Sequence, residues 1–164
     1  MQDLRTLEKR LATARLRILN GEVERHVLVS GGNQHVVLLD ECQYSIVRHG
    51  ERNFTAQEVL ISKGDEERIL WHMTFWGYSE IEGMSNKLLC DYAHQFLSRG
   101  RKQLYDKDKI LGDNKCTEIG LRYMDTKLSG SCIQMCEGTE TLHREHAPLH
   151  PLWVMRYRGG SDQP

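Results

Sequence analysis

Apolar positions in the first twenty residues recur at spacings of three and four: Leu4, Leu7, Leu11, Ala14 and Ile18, with Arg5, Glu8, Lys9, Arg15 and Arg17 between them. That period predicts an amphipathic helix, and Asn20-Gly21 is a fitting C-terminal stop. A second stripe, Leu88, Leu89, Tyr92, Ala93, Phe96 and Leu97, predicts another helix over about 85–104 with Ser85 as its N-cap. Between the helices the pattern shortens to β-rich runs punctuated by turn residues: 27–30, 36–39, 44–47, 56–62 and 69–76. Trp71, Met73 and Phe75 alternate with His72, Thr74 and Trp76, as expected of a strand with one face on a core. These runs predict an antiparallel meander. After the second helix similar runs return at 117–123, 131–136 and 152–158.

The return is itself patterned. At an offset of 74, Cys42 aligns with Cys116, Arg48 with Arg122, Phe54 with Leu128, Thr55 with Ser129, Ala56 with Gly130 and Gly64 with Gly138. At an offset of 82, the octapeptide beginning Leu70-Trp71 aligns with that beginning Leu152-Trp153, sharing L-W-x-M-x-aromatic-x-G. The change of offset implies eight extra residues between Gly138 and Leu152. The expected fold is therefore α+β: an internal duplication of a helix plus an antiparallel β-meander, with two sheets packed with two helices. It forms one domain of two pseudo-repeats, about 1–83 and 84–164, with Trp71 and Trp153 in the core.

With 39% hydrophobic and 27% charged residues the chain sits in the globular range. No apolar run approaches the ~20 residues of a membrane span, and no secretory leader is recognisable. The expected compartment is the cytoplasm. Five cysteines, Cys42, Cys90, Cys116, Cys132 and Cys136, make an odd number without a C-x-x-C pair, so they read as reduced core residues rather than a zinc or redox site. Net charge is -1, distributed as +3 over 1–20, −6 over 21–83, +3 over 84–105 and −1 over the remainder. The helices are basic and the first β region is acidic, without the overall basic field that duplex nucleic acid requires.

Candidate chemistry is sparse. Arg48-His49-Gly50-Glu51 looks like the phosphohistidine signature of histidine phosphatases. It lacks the α/β continuation that family needs, so it reads as a repeat position. His143, His146 and His150 would approach zinc-ligand spacing on a helix, with Glu140 and Glu145 as acid-base groups. Pro148 and Pro151 interrupt such a helix, and the expected state is a solvated loop without metal. No catalytic set and no cofactor site emerges. Arg99, Arg101 and Lys102 offer a basic helix face, and Asp65, Glu66 and Glu67 with Glu80 and Glu82 form the one concentrated acidic group.

The segments Asn53 to Val59 and Leu70 to Gly77, with the second helix and Leu152 to Gly160, resemble an uncharacterised bacterial domain family sometimes fused to helix-turn-helix regulators. No activity comes with that resemblance. The duplicated layout is also similar to the Whirly-type fold, which binds single-stranded nucleic acid and which some bacterial immunity proteins resemble. The leading expectation is a non-catalytic immunity protein that neutralises a cognate basic toxin through Asp65, Glu66, Glu67, Glu80 and Glu82. The alternatives are a ligand-sensing or single-strand-binding module stacking its ligand on Trp76, Tyr78 or Tyr157, and a metal-dependent enzyme built on the histidine segment. Oligomeric state is left open.

Overall fold

A computed structural model describes residues 3–64, 67–131 and 133–161. The first helix, α1, runs Leu4–Leu19 with Asp3 as N-cap, and ends where Gly21 adopts a φ of 73°. The second, α2, runs Lys87–Tyr105 and is capped by Asn86, whose side chain accepts from the amides of Leu88 and Leu89. The N-cap thus falls one residue beyond the expected Ser85. Among the described residues no helix is long and apolar enough to cross a membrane.

The strands are β1 (Arg25–Val27), β2 (Asn33–Leu38), β3 (Cys42–His49), β4 (Asn53–Ser62), β5 (Ile69–Ser79), β6 (Asn114–Glu118), β7 (Leu121–Ser131), β8 (Met135–Arg144) and β9 (Ala147–Gly160). The expected single run at 117–123 is a hairpin, turned by Ile119 and Gly120, both at positive φ. The run expected at 131–136 spans a turn. The segment expected to be an inserted loop is most of β8 and the start of β9.

The expectation of two packed sheets is overturned. All nine strands form one antiparallel sheet in the order β1-β2-β3-β4-β5-β9-β8-β7-β6. The reason lies at its centre. The last strand of each half would leave a bare edge, and β5 and β9 satisfy each other from His72↔Gly160 to Ser79↔Trp153. The halves therefore join edge to edge, and both helices bury their apolar stripes on the same face of the sheet, called inner below.

The register also replaces the offset of 74. Cys42 lies on β3 but Cys116 on β6, and Phe54 lies on β4 but Leu128 on β7. The offset of 82 instead runs through two strands: Leu60↔Trp71 and Glu58↔Met73 recur as Leu142↔Trp153 and Glu140↔Met155. At the seam Phe75 pairs with Tyr157, residues that are themselves 82 apart. Trp71 and Trp153 are both buried. Gly77 matters here, because it faces Phe54 across the β4–β5 ladder and a Cβ on it would meet the Val154 carbonyl. With no side chain between them, Phe54 stacks on Trp153 at 4.6 Å across the intervening strand.

Candidate functional site

Each helix stripe carries one arginine in place of an apolar residue, and each arginine meets a glutamate that interrupts the apolar alternation of a strand. Arg15 of α1 donates through Nε to Glu58 of β4 at 3.1 Å and through Nη1 to the Ile110 carbonyl at 2.7 Å. Arg101 of α2 forks onto Glu140 of β8, with bonds of 2.8 and 2.9 Å. Glu58 and Glu140 are equivalent in the 82-residue register and both are buried. Burial opposes the Arg15 charge, but Glu58 and neighbouring phenol groups more than offset it and hold its pKa well above the ordinary value. Arg101 is raised likewise, Glu140 overcoming burial.

Between these ion pairs lies a half-open cavity of about 160 Å³, bounded by the two helices, the 110–111 segment and the inner sheet face. Its walls are largely apolar, with Ile18, Ile46, Leu104, Leu111 and Met155 among them. Arg48 enters at the end of β3, and it is held differently from the other two arginines. It makes no ion pair among the described residues; one Nη donates to the Glu51 carbonyl at 3.2 Å, and its buried Nε has no partner. Its guanidinium lies 4.4 Å from the Phe54 ring centre and 5.6 Å from that of Trp153, whose indole N–H is also buried without an acceptor. Arg101 approaches the same indole at 5.1 Å. Burial, and then repulsion from Arg101, lower the Arg48 pKa.

The two halves differ at one coordinated set of three. In the first, Phe75 pairs with Ala56, and Ile46 stands opposite Glu58. In the second the equivalent residues are Tyr157, Gly138 and Asp125. Tyr157 lies over Gly138, where a Cβ would come within 2.1 Å of its hydroxyl, and donates to Asp125 at 2.8 Å. Asp125 is buried opposite Glu140, and burial first and that carboxylate second raise its pKa from 3.8 to about 7. The cavity is thus lined by two ion pairs, one cation without an ion pair among the described residues, and one carboxyl whose pKa is pushed up to about 7.

The residues singled out in the sequence are scattered. Asp65 and Glu66 lie outside the described residues, as does Cys132. Glu67 is exposed before β5, whereas Glu80 and Glu82 follow its far end. An eleven-residue strand separates them, a distance of roughly 30 Å or more at the ~3.3 Å rise per residue. Glu80 is engaged by Arg52 through bonds of 2.6 and 2.8 Å, and Glu82 lies 3.8 Å from His94. Arg48 and His49 alternate to opposite faces, His49 lying over Gly32. His143, His146 and His150 fall on the β8–β9 hairpin rather than a helix, and the described residues hold no metal-binding group of three. Arg101 is turned inward to Glu140, and Arg99 is paired with Glu118. Tyr157 is fully buried and offers no stacking platform, whereas Trp76 is 37% exposed.

Sequence reasoning passed over Arg15, Glu58 and Asp125 and misassigned Arg101. The available signal was a charge at a core position: Arg15 is four residues from Leu11 on the apolar stripe, and Glu58 continues Phe54, Ala56 and Leu60. No family model, curated protein or solved structure matches this chain.

Proposed function

We propose that this protein binds a small organic anion, a carboxylate with a compact apolar body, in the cavity between the helices and the sheet. One observation carries the reading: Arg48 reaches the cavity as a half-buried cation with no ion pair among the described residues and a buried Nε without a partner, beside the unpaired indole N–H of Trp153. Buried polar groups without partners are costly, and an anionic headgroup would satisfy both donors. Arg15 and Arg101 are already spent on Glu58 and Glu140, so the headgroup belongs at Arg48. The size supports a compact ligand, since a cavity of ~150 Å³ accepts benzene.

The reading is one of binding: the described lining residues include no Ser, Thr, Cys, His or Lys, Glu58 and Glu140 are held by Arg15 and Arg101, and Asp125 is the one lining carboxyl outside an ion pair among the described residues. The toxin-neutralising reading needs one acidic surface, and Glu67 stands at the opposite end of β5 from Glu80 and Glu82. The test is a thermal-shift and tryptophan-fluorescence titration with benzoate and hexanoate against benzamide and hexanamide. The acids should raise the melting temperature and perturb Trp153 emission. Arg48→Leu should weaken them by roughly tenfold or more, the scale of a charged hydrogen bond. Equal binding of the neutral amides, or acid binding unchanged in Arg48→Leu, overturns the reading.

A further inference from the structure

We infer that the outer face of the sheet, opposite the helices, is a docking surface for single-stranded nucleic acid, centred on Trp76, Tyr78 and Arg156. The groove beside these residues opens on the other face of the sheet from the cavity, and the two share only Phe54 among their described lining residues. Trp76 and Tyr78 lie two apart on the central strand β5 and so project from the same face, about 7 Å from each other at the strand rise. Trp76 stands directly opposite Arg156 of β9.

The rung through this pair reads His49, Thr55, Trp76, Arg156, Thr139 and Thr126 across strands β3 to β7. The next rung reads Asn53, Tyr78, Val154, Thr141, Met124 and Lys115. Neither contains a carboxylate, in a chain with 23 Asp and Glu against 22 Lys and Arg. A groove of about 610 Å³ follows both aromatic residues, and no acid lines it. Both helices are committed to the inner face, which leaves this one open.

Two acid-free rungs with an exposed Trp76, a half-buried Tyr78, the Arg156 guanidinium opposite Trp76 and Thr and Asn side chains alongside match the needs of an unpaired strand. Its bases stack without regard to sequence, and its phosphates seek cations. Duplex DNA offers no free base faces, and the chain lacks the broad basic field that would hold it. An acidic protein segment would use the cations but not the aromatic pair.

The decisive measurement is fluorescence anisotropy of labelled oligothymidylate of about 15 nucleotides, a length on the scale of one such site, with a matched duplex and polyglutamate as competitors. Binding is expected at about 50 mM salt, weakening toward 200 mM. Trp76→Ala and Arg156→Ala should each reduce affinity at least fivefold, the scale of one lost stacking or phosphate contact. Trp76→Phe should restore most of the loss while melting temperatures stay level. Arg48→Leu, on the other face, should leave oligonucleotide binding unchanged. The inference is overturned by no binding at the lower salt, by wild-type affinity in the Trp76 and Arg156 variants, or by equal competition from duplex or polyglutamate.

Discussion

Tyr157 crosses the neighbouring strand at Gly138 to donate a hydrogen bond of 2.8 Å to Asp125, and the same three positions in the first half are Phe75, Ala56 and Ile46. Each polar residue depends on the others. The hydroxyl needs an acceptor, the carboxyl needs a donor, and the ring needs the space that Gly138 leaves. Tyr157→Phe alone should cost about 1–3 kcal/mol, because a buried carboxyl loses its side-chain donor and keeps only the Gly112 amide. Asp125→Ile added to Tyr157→Phe, recreating the first-half pair, should cost less than the sum of the single changes. Urea melts of the full cycle read this coupling, and additivity within about 0.5 kcal/mol would mean that the residues act independently.

The same carboxyl makes stability depend on pH in an unusual direction. Its native pKa is about 7, above the ~3.9 of an unfolded Asp. Between those values the native state holds more protons than the unfolded state, so this group's contribution falls as pH rises from about 4 to 7 and is level above that. Asp125→Asn keeps an oxygen for Tyr157 and removes the titration. The variant should gain on the wild type progressively across that window, by an amount on the order of 1 kcal/mol per pH unit at most. Denaturant midpoints at pH 5 and 8 check it, and parallel curves would contradict the assignment.

The twin ion pairs should respond asymmetrically to single and paired changes. Removing one partner strands a buried charge, so Arg15→Met should destabilise by about 3–5 kcal/mol. Arg15→Met with Glu58→Leu replaces the pair with apolar volume and should recover most of that loss. The equivalent test at Arg101 and Glu140 is complicated by Asp125: removing the Glu140 charge takes away one of the causes that raise the Asp125 pKa. Glu140→Gln should therefore bring the pH window of the preceding experiment downward. A pH profile identical to wild type would show that burial alone sets it.

How far the sequence was legible follows from these residues. Both helices were readable because their stripes are long and periodic, and Trp71 and Trp153 marked equivalent core positions through a shared octapeptide. Strand β8 was hidden because its inner positions are Cys136, Gly138, Glu140 and Leu142, two of which resemble a loop. Glycine is there to admit Tyr157 and glutamate to hold Arg101, so the cavity's own chemistry erased the strand signal. The offset of 74 misled because Cys42 and Cys116 coincide by residue type on strands that do not correspond, and Arg48 and Arg122 on strands that do but out of register, Arg48 facing Ala56 and Arg122 facing His143. The edge-to-edge joining of β5 and β9 leaves no mark in the pattern of either strand, since each is buried on one face whichever way its edge is satisfied.

That joining hangs on Gly77. A Cβ built there would stand 1.9 Å from the Val154 carbonyl and 2.9 Å from the Met155 Cα, both backbone atoms of the partner strand. Unlike a flexible side chain, a paired strand cannot move aside without loosening its ladder. Gly77→Ala should therefore destabilise by about 2–3 kcal/mol, toward the upper end of overpacking costs. Gly64→Ala, at a position with nothing within 4 Å, is the control and should change stability by no more than about 0.5 kcal/mol. The displacement should also reach the cavity, because Phe54 lies across Gly77 to stack on Trp153 at 4.6 Å, and Arg48 rests on that stack. Tryptophan emission of folded Gly77→Ala should shift and its affinity for benzoate should fall, whereas Gly64→Ala should match the wild type in both. A Gly77→Ala protein with wild-type stability and emission would show that β5 and β9 do not pack in this register.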